Sequence, residues 1–451
     1  MPPVADHPLR YQLTNELHAR PAPQVPVPGT VVFLALKPVA DAAARDRAQD
    51  RAHLEALLDR HGAAHPAPGA THHGCTLGRL GLKWESHTEF TTYTLFAAGT
   101  PERAFDPAGF DMLPPDWLAA APGSRMTSIQ FILQPLPLRD DGTADEAALE
   151  KRLDDWFEAE SLAAARVLDG AAIVASDFRI DPAGHIRMAV FVQPGTGPRR
   201  VGRIVQRLCE IETYKTMSML GLARARQVSA EMGELDRQLS ALIDSMARGL
   251  AGAGTAPDRS ALDTQLAAQE ALDQLMAVSA ELERLEVSAS FRFGATRAYE
   301  ALVHARIQAL RESRYRGRQT LKEFMQRRYD PAMRTVKAAE GRLATLSNRA
   351  QRASRLLSTQ VEVARSAQNQ ALLRSMDQRS DLQLRLQHTV EGLSVVAISY
   401  YAVGLVANLV MPVAQPAGLS QGATLALITP AVIALVWFMV RRVRKGLTGR
   451  A

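Results

Sequence analysis

A chain of 451 residues, 47% hydrophobic and 22% charged, has the material for packed cores and room for two to four structural units. Its two cysteines, Cys75 and Cys209, exclude a disulfide-stapled scaffold and fit a reducing compartment. The formal net charge of +6 is too modest to mark the whole chain as a polyanion binder, and no nucleic-acid partner is expected.

The opening stretch MPPVADHPLRYQLTNE has neither an apolar run nor a small-residue cleavage site, so no secretory signal is expected. TVVFLALK (Thr30–Lys37) reads as a buried strand and Asp41–His61 as an amphipathic helix. HPAPGATHHG is a loop. CTLGRL, LKWESHTEFTTYTLF and Arg125–Pro137 read as strands, and Asp145–Phe157 as a helix. AAIVASDFRI and HIRMAVFVQP form a hairpin around Asp181-Pro182-Ala183-Gly184. Residues 1–198 therefore predict a mixed α/β domain of α+β class with a largely antiparallel sheet.

Eight of the eleven histidines precede residue 90. Strand alternation in LKWESHTEF puts Lys83, Glu85, His87 and Glu89 on one face, with Leu82, Trp84 and Phe90 on the other. NELHARP adds Asn15, Glu16, His18 and Arg20, and the loop adds His65, His72, His73 and Cys75. Imidazole, carboxylate and thiolate together can hold a transition metal. Glu85 or Glu89 beside His87 can act as an acid/base couple. No HExxH, CxxC pair, P-loop, GxGxxG or nucleophile elbow is present, so no metal is established and no cofactor is predicted. The ordinary fate of such a strand face is a solvated surface with cross-strand ion pairs.

From about Arg199 to Glu391 the chain reads as helix, with three heptad seams. One runs through Leu235, Leu239, Leu242 and Met246. The second takes Ala268, Ala271, Leu275, Val278, Leu282, Leu285 and Ala289. The third runs from Val336 and Ala339 to Ala364, Ala367 and Ala371. A turn is expected at Ala251–Asp258 and a break at Tyr329-Asp330-Pro331. Residues 199–391 are thus expected to form a coiled-coil stalk that self-associates.

Two uncharged apolar runs follow, at 393–412 and 423–440, each long enough to cross about 30 Å of hydrocarbon. Residues 392–440 predict a transmembrane hairpin and 441–451 a basic tail. Arg441, Arg442, Arg444 and Lys445 after the second run, and Arg374, Arg379 and Arg385 before the first, predict two spans with both termini cytoplasmic. Ser394, Ala397, Tyr401, Gly404 and Asn408 recur at steps of three and four, a polar seam suited to helix packing or to a pore lining. No Asp, Glu, Lys, Arg or His lies within either run, which disfavours a proton relay or a charged-substrate carrier.

Four stretches in order, HPLRYQLTNELHARP, LKWESHTEFTTYTLF, VGRIVQRLCEIETYKTMSMLGL and VEGLSVVAISYYAVGL, resemble a bacterial family of predicted membrane-anchored proteins classed as domain of unknown function 3422. The resemblance implies a membrane anchor. It supplies no catalytic residues, so Trp84, Glu210, Glu212 and Tyr214 join the candidates by chemistry and position only. The layout also looks like that of CorA-type metal-ion transporters, whose first span ends in Gly-Met-Asn. Here the matching stretch is VANLVMP, where Asn408 follows Val406-Ala407.

These expectations describe a bacterial inner-membrane protein, not an enzyme, with a cytoplasmic α/β binding or sensing domain. Its expected partners are the lipid bilayer and further copies of itself, joined through the helical stalk and first span. The alternatives are a CorA-like oligomeric divalent-cation channel and a metal-dependent enzyme using His18, His87 and Glu89.

Overall fold

A computed structural model describes residues 4–16, 22–40, 44–252, 261–414 and 420–448. The chain divides into two compact units, Met1–Leu250 with Asp273–Ala353, and Ala251–Leu272 with Ser354–Ala451.

The strands of the first unit are β1 (Gly29–Lys37), β2 (His72–Leu77), β3 (Leu80–Ser86), β4 (Thr91–Ala98), β5 (Ser124–Pro135), β6 (Ala163–Val167), β7 (Ala172–Ser176), β8 (Ile186–Val192) and β9 (Ser313–Arg314). Among the described residues they form one sheet in the order β2-β3-β4-β1-β5-β8-β7-β6-β9. Every pairing is antiparallel except β5 with β8. The α+β class expected from the sequence is therefore the observed one.

All nine residues of β1 are buried, because both faces of the sheet are covered. On one face Val32, Leu34 and Leu36 pack with Leu54, Leu57 and Leu58 of α2 (Arg47–Arg60) and Trp117 of α3 (Pro115–Ala119). Further along that face Ile132, Ile173 and Phe191 pack with Leu149 and Leu153 of α4 (Glu146–Trp156). The opposite face carries α5 (Pro198–Gly252), whose Val205 and Cys209 share a cleft with Phe33, Thr92 and Thr94. The start of α5 is locked by close approach: a Cβ on Gly202 would lie 1.7 Å from the Pro23 carbonyl oxygen.

Beside α5 lies α6 (Ala261–Leu310), close enough that a Cβ on Gly221 would meet Thr296 Oγ1 at 2.2 Å. The front of α8 (Asp330–Ala414) joins them, with Asp236 accepting from Arg342 at 2.9 Å and from Arg349 at 3.1 Å. Seam residues Leu235, Leu239, Leu275, Val278, Leu282, Leu285 and Ala289 are buried, as is the third seam from Val336 to Leu357. Beyond it, Ala364, Ala367 and Ala371 are exposed.

Several elements depart from the sequence expectations. LKWESHTEFTTYTLF is a hairpin, β3 and β4 joined by a turn in which the His87 N–H donates to the Phe90 carbonyl at 2.9 Å. The helical middle is interrupted: α6 stops at Leu310, where Arg311 takes a positive φ of 48°. The chain then adds β9 to the sheet and restarts in α7 (Leu321–Arg328) through a Thr320–Glu323 capping box. The break at Tyr329-Asp330-Pro331 falls between α7 and α8. Of the turn expected at Ala251–Asp258, Ala251 and Gly252 belong to α5, and the rest lies outside the described residues.

In the second unit α8 continues to Ala414, and α9 (Gln421–Thr448) follows with Pro430 inside it. Both are long and apolar enough to cross a membrane. Ser399 and Ala407 of α8 and Thr424, Val432 and Val436 of α9 are buried while their neighbours are largely exposed. Glu391, Ser394 and Val440 line one groove, so the charged end of the first apolar run lies beside the charged end of the second.

Candidate functional site

Lys83 and Glu85 stand side by side on β3, as alternation requires, with Nζ and Oε2 3.1 Å apart. Their face is not the solvated surface expected from the sequence. Lys83 is 8% exposed because α5 lies over it. Lys83, Glu85 and His87 line a cleft with Gln206, Cys209, Glu210, Thr213 and Tyr214 of α5. Two of the four stretches that carry the family resemblance thus meet here. The cleft holds about 30 Å³, room for a water or two and not for a metabolite.

Glu89 sits at the tip of the β3–β4 hairpin and is 2% exposed. Arg292 of α6 donates to it through Nη2 at 2.5 Å and Nη1 at 3.5 Å, and the Tyr299 hydroxyl donates at 3.1 Å. Burial first, and then the Glu89 charge, push the Tyr299 pKa up and keep its hydroxyl a donor. Buried Lys37 lies in the same field: desolvation, then Arg292, lowers its pKa, and Glu89 opposes them. Arg45 fixes the hairpin tip from the other side. Its Nη2 donates to Ser86 Oγ at 3.0 Å and to the Phe90 carbonyl at 3.2 Å, and also to the His87 carbonyl. His87 stacks on Phe90 with ring centroids 4.4 Å apart.

Glu210 pairs with Arg306 of α6 and accepts from Gln206 at 2.8 Å. Glu212, 1% exposed, pairs with Lys215 at 2.6 Å. Tyr214 stacks on Tyr299 at 5.7 Å. Trp84 points the other way and is buried in the core under α2. Burial raises the pKa of Cys209 well above the ordinary thiol value and also raises that of Cys75, so neither is poised as a nucleophile.

Arg292, Tyr299, Arg306 and Arg45 were not among the sequence candidates. A signal existed for three of them: Arg292, Tyr299 and Arg306 follow one another at steps of seven, on one face of α6. Asn15 and Glu16 fall at the end of α1 (Arg10–Glu16), and His18 and Arg20 lie outside the described residues. His65 pairs with Asp59 at 2.6 Å, while His72, His73 and Cys75 lie along β2. Among the described residues no three His, Cys, Asp or Glu side chains converge to hold a metal ion.

In the second unit the polar seam turns outward. Ser394, Ala397, Tyr401, Gly404 and Asn408 are all exposed, whereas Ser399 and Ala407 of the same run are buried, and Ser394 borders the groove that Val440 of α9 lines. From Ala397 to Asn408 the seam is therefore left uncovered by the chain's own described residues.

A helix-covered nine-stranded sheet, followed by two apolar helices of membrane-crossing length, defines an α+β protein with a candidate membrane hairpin. The chain belongs to the family described as "Protein of unknown function (DUF3422)", which matches residues 5–447. Neither the curated proteins nor the solved structures give a match.

Proposed function

We propose that this chain is a bacterial inner-membrane protein that crosses the bilayer twice and presents its α+β unit in the cytoplasm as a binding or sensing module. The observation that carries the reading is the exposed apolar hairpin. Leu393, Val396, Leu405 and Leu409 of α8 and Leu427, Leu435 and Phe438 of α9 are open to their surroundings, and the charged ends lie together. Water is a poor solvent for such a surface and hydrocarbon a good one. Basic Arg441 and Arg442 at the end of α9 favour the cytoplasmic side for that end. The cleft beneath α5 is too small for a metabolite, so a module of this kind would act elsewhere than in that cleft.

The test is alkaline carbonate extraction followed by protease added outside spheroplasts. Retention in the membrane with an intact amino-terminal unit is expected; release by carbonate, or digestion of that unit from outside, refutes the reading. A second reading, a CorA-like oligomeric divalent-cation channel, draws support from Tyr401 and Asn408, which are exposed. Mg²⁺ flux into proteoliposomes that Asn408→Leu abolishes would support it, and no flux in the parent protein eliminates it.

A further inference from the structure

We infer that the face of α8 from Leu372 to Asn408 is a self-association surface whose partner is a second copy of this chain, aligned parallel. The inference rests on the membrane reading above.

The sequence sets out the surface. Leu372, Met376, Arg379, Gln383, Leu386 and Val390 alternate steps of four and three, the spacing of a coiled-coil seam. The spacing passes through Leu393 to Ala397, then takes one extra step of four to Tyr401 before Gly404 and Asn408. At 3.6 residues per turn these positions stay on one side of the helix for about 54 Å. Charge is kept off the contact. Arg374, Asp377, Asp381, Arg385 and Glu391 fall on the outer positions, and the flanking Leu373, Ser375, Leu382, Gln387 and Thr389 are uncharged. Identical faces therefore meet without repulsion except at Arg379, whose long side chain can reach the rim.

Within one chain this face is open to its surroundings, although Gln383, Leu386 and Val390 border the groove that Val440 of α9 also lines. Every residue from 362 to 390 is exposed, Leu386 at 70%. Tyr401 is 72% exposed, and a Cβ on Gly404 would meet nothing within 4 Å. Most helical stability in proteins comes from burying an apolar stripe, and from 362 to 390 the chain's own described residues bury none. The occupant is constrained by the seam itself, which passes from charged sequence into the apolar run without changing side. Its partner must make the same passage at the same depth, and a second α8 does so residue for residue. An antiparallel copy would set Arg379 opposite the hydrocarbon, where an arginine costs about 2.5–3.5 kcal/mol. In the parallel pair Tyr401 and Asn408 meet their own counterparts and can bond across the contact.

The experiment uses the full chain with Cys75→Ala and Cys209→Ala, co-expressed with two different tags. Single cysteines are placed on the seam (Met376→Cys, Val390→Cys, Ala397→Cys) or on the far side (Asp381→Cys, His388→Cys). Oxidation in native membranes should give a product carrying both tags, several-fold more abundant at the seam positions. Equal yield at His388→Cys, a product lacking the second tag, or no product at the seam overturns the inference. Should the cysteine-free background fail to fold, Gly404→Leu with Leu386→Glu in the parent sequence should reduce the detergent-solubilised particle to a monomer by light scattering. An unchanged mass overturns the inference. Carbonate extraction of the same membranes separates the two claims: release overturns both, whereas retention without a seam cross-link overturns this one alone.

Discussion

Removing the Glu89 carboxylate tests how α6 is held to the sheet. In Glu89→Ala, Arg292 loses its contacts at 2.5 and 3.5 Å, and the Tyr299 hydroxyl loses an acceptor at 3.1 Å. Water cannot readily replace them, because the Glu89 and Arg292 side chains are only 2% and 17% exposed. Breaking one side of a buried ion pair costs about 3–5 kcal/mol, chiefly because the other charge is left stranded. Tyr299→Phe removes one hydrogen bond and no charge, and should cost about 1–2 kcal/mol. Replacing both partners, Glu89→Gln with Arg292→Met, strands nothing and should recover most of the loss. The readout is the guanidinium midpoint of the full chain in detergent, followed by tryptophan fluorescence, since Trp84 and Trp117 are buried in the core of the same unit. A Glu89→Ala midpoint equal to that of the parent, or a double variant no more stable than the single, refutes the reasoning.

Two further predictions concern stability. Gly202→Ala should destabilise by about 1–3 kcal/mol through overpacking, since its Cβ would overlap the Pro23 carbonyl. Gly233→Ala, with nothing within 4 Å, should instead stabilise α5 by about 0.5–1 kcal/mol, and thermal melting of the pair distinguishes the effects. Burial pushes the Glu312 pKa up to about 7, even though its Oε2 accepts from the Lys322 N–H at 3.0 Å. The folded chain then holds an extra proton between the ordinary carboxylate range and about pH 7. Stability should fall as pH rises across that window, by at most on the order of 3 kcal/mol. Unfolding midpoints measured from pH 5 to 8 should show the slope, and Glu312→Gln should flatten it; an unchanged slope disproves the assignment.

What could be read from the sequence was what has a period. TVVFLALK, the apolar runs and the heptads of α5, α6 and α8 declare themselves through spacing. Alternation also put Lys83 and Glu85 on the same face, but it could not say what covers that face. The cover, α5, is more than a hundred residues further along, and its contact with β3 is a tertiary choice. Strand β6, AAARV, is mostly alanine and alternates nothing, so it left no trace. Strand β9 has only two residues, too short for any pattern, although the Thr320–Glu323 cap just after it marks a restart of helix. Ser86-His87-Thr88-Glu89 read as strand because β3 and β4 are both strand-like; the His87–Phe90 backbone bond and the Arg45 clasp on the tip reveal a turn.

The two-residue strand β9 has a consequence for biosynthesis. It closes the sheet at β6, and beside it Tyr315, fully buried, plugs the core under α4. Eight strands have left the ribosome by Val192, yet the ninth emerges only after the whole α5–α6 pair has been made. A nascent chain must therefore carry an unfinished sheet edge through more than a hundred further residues of translation. Cutting the gene after residue 198 should yield a product that starts the sheet and cannot seal it.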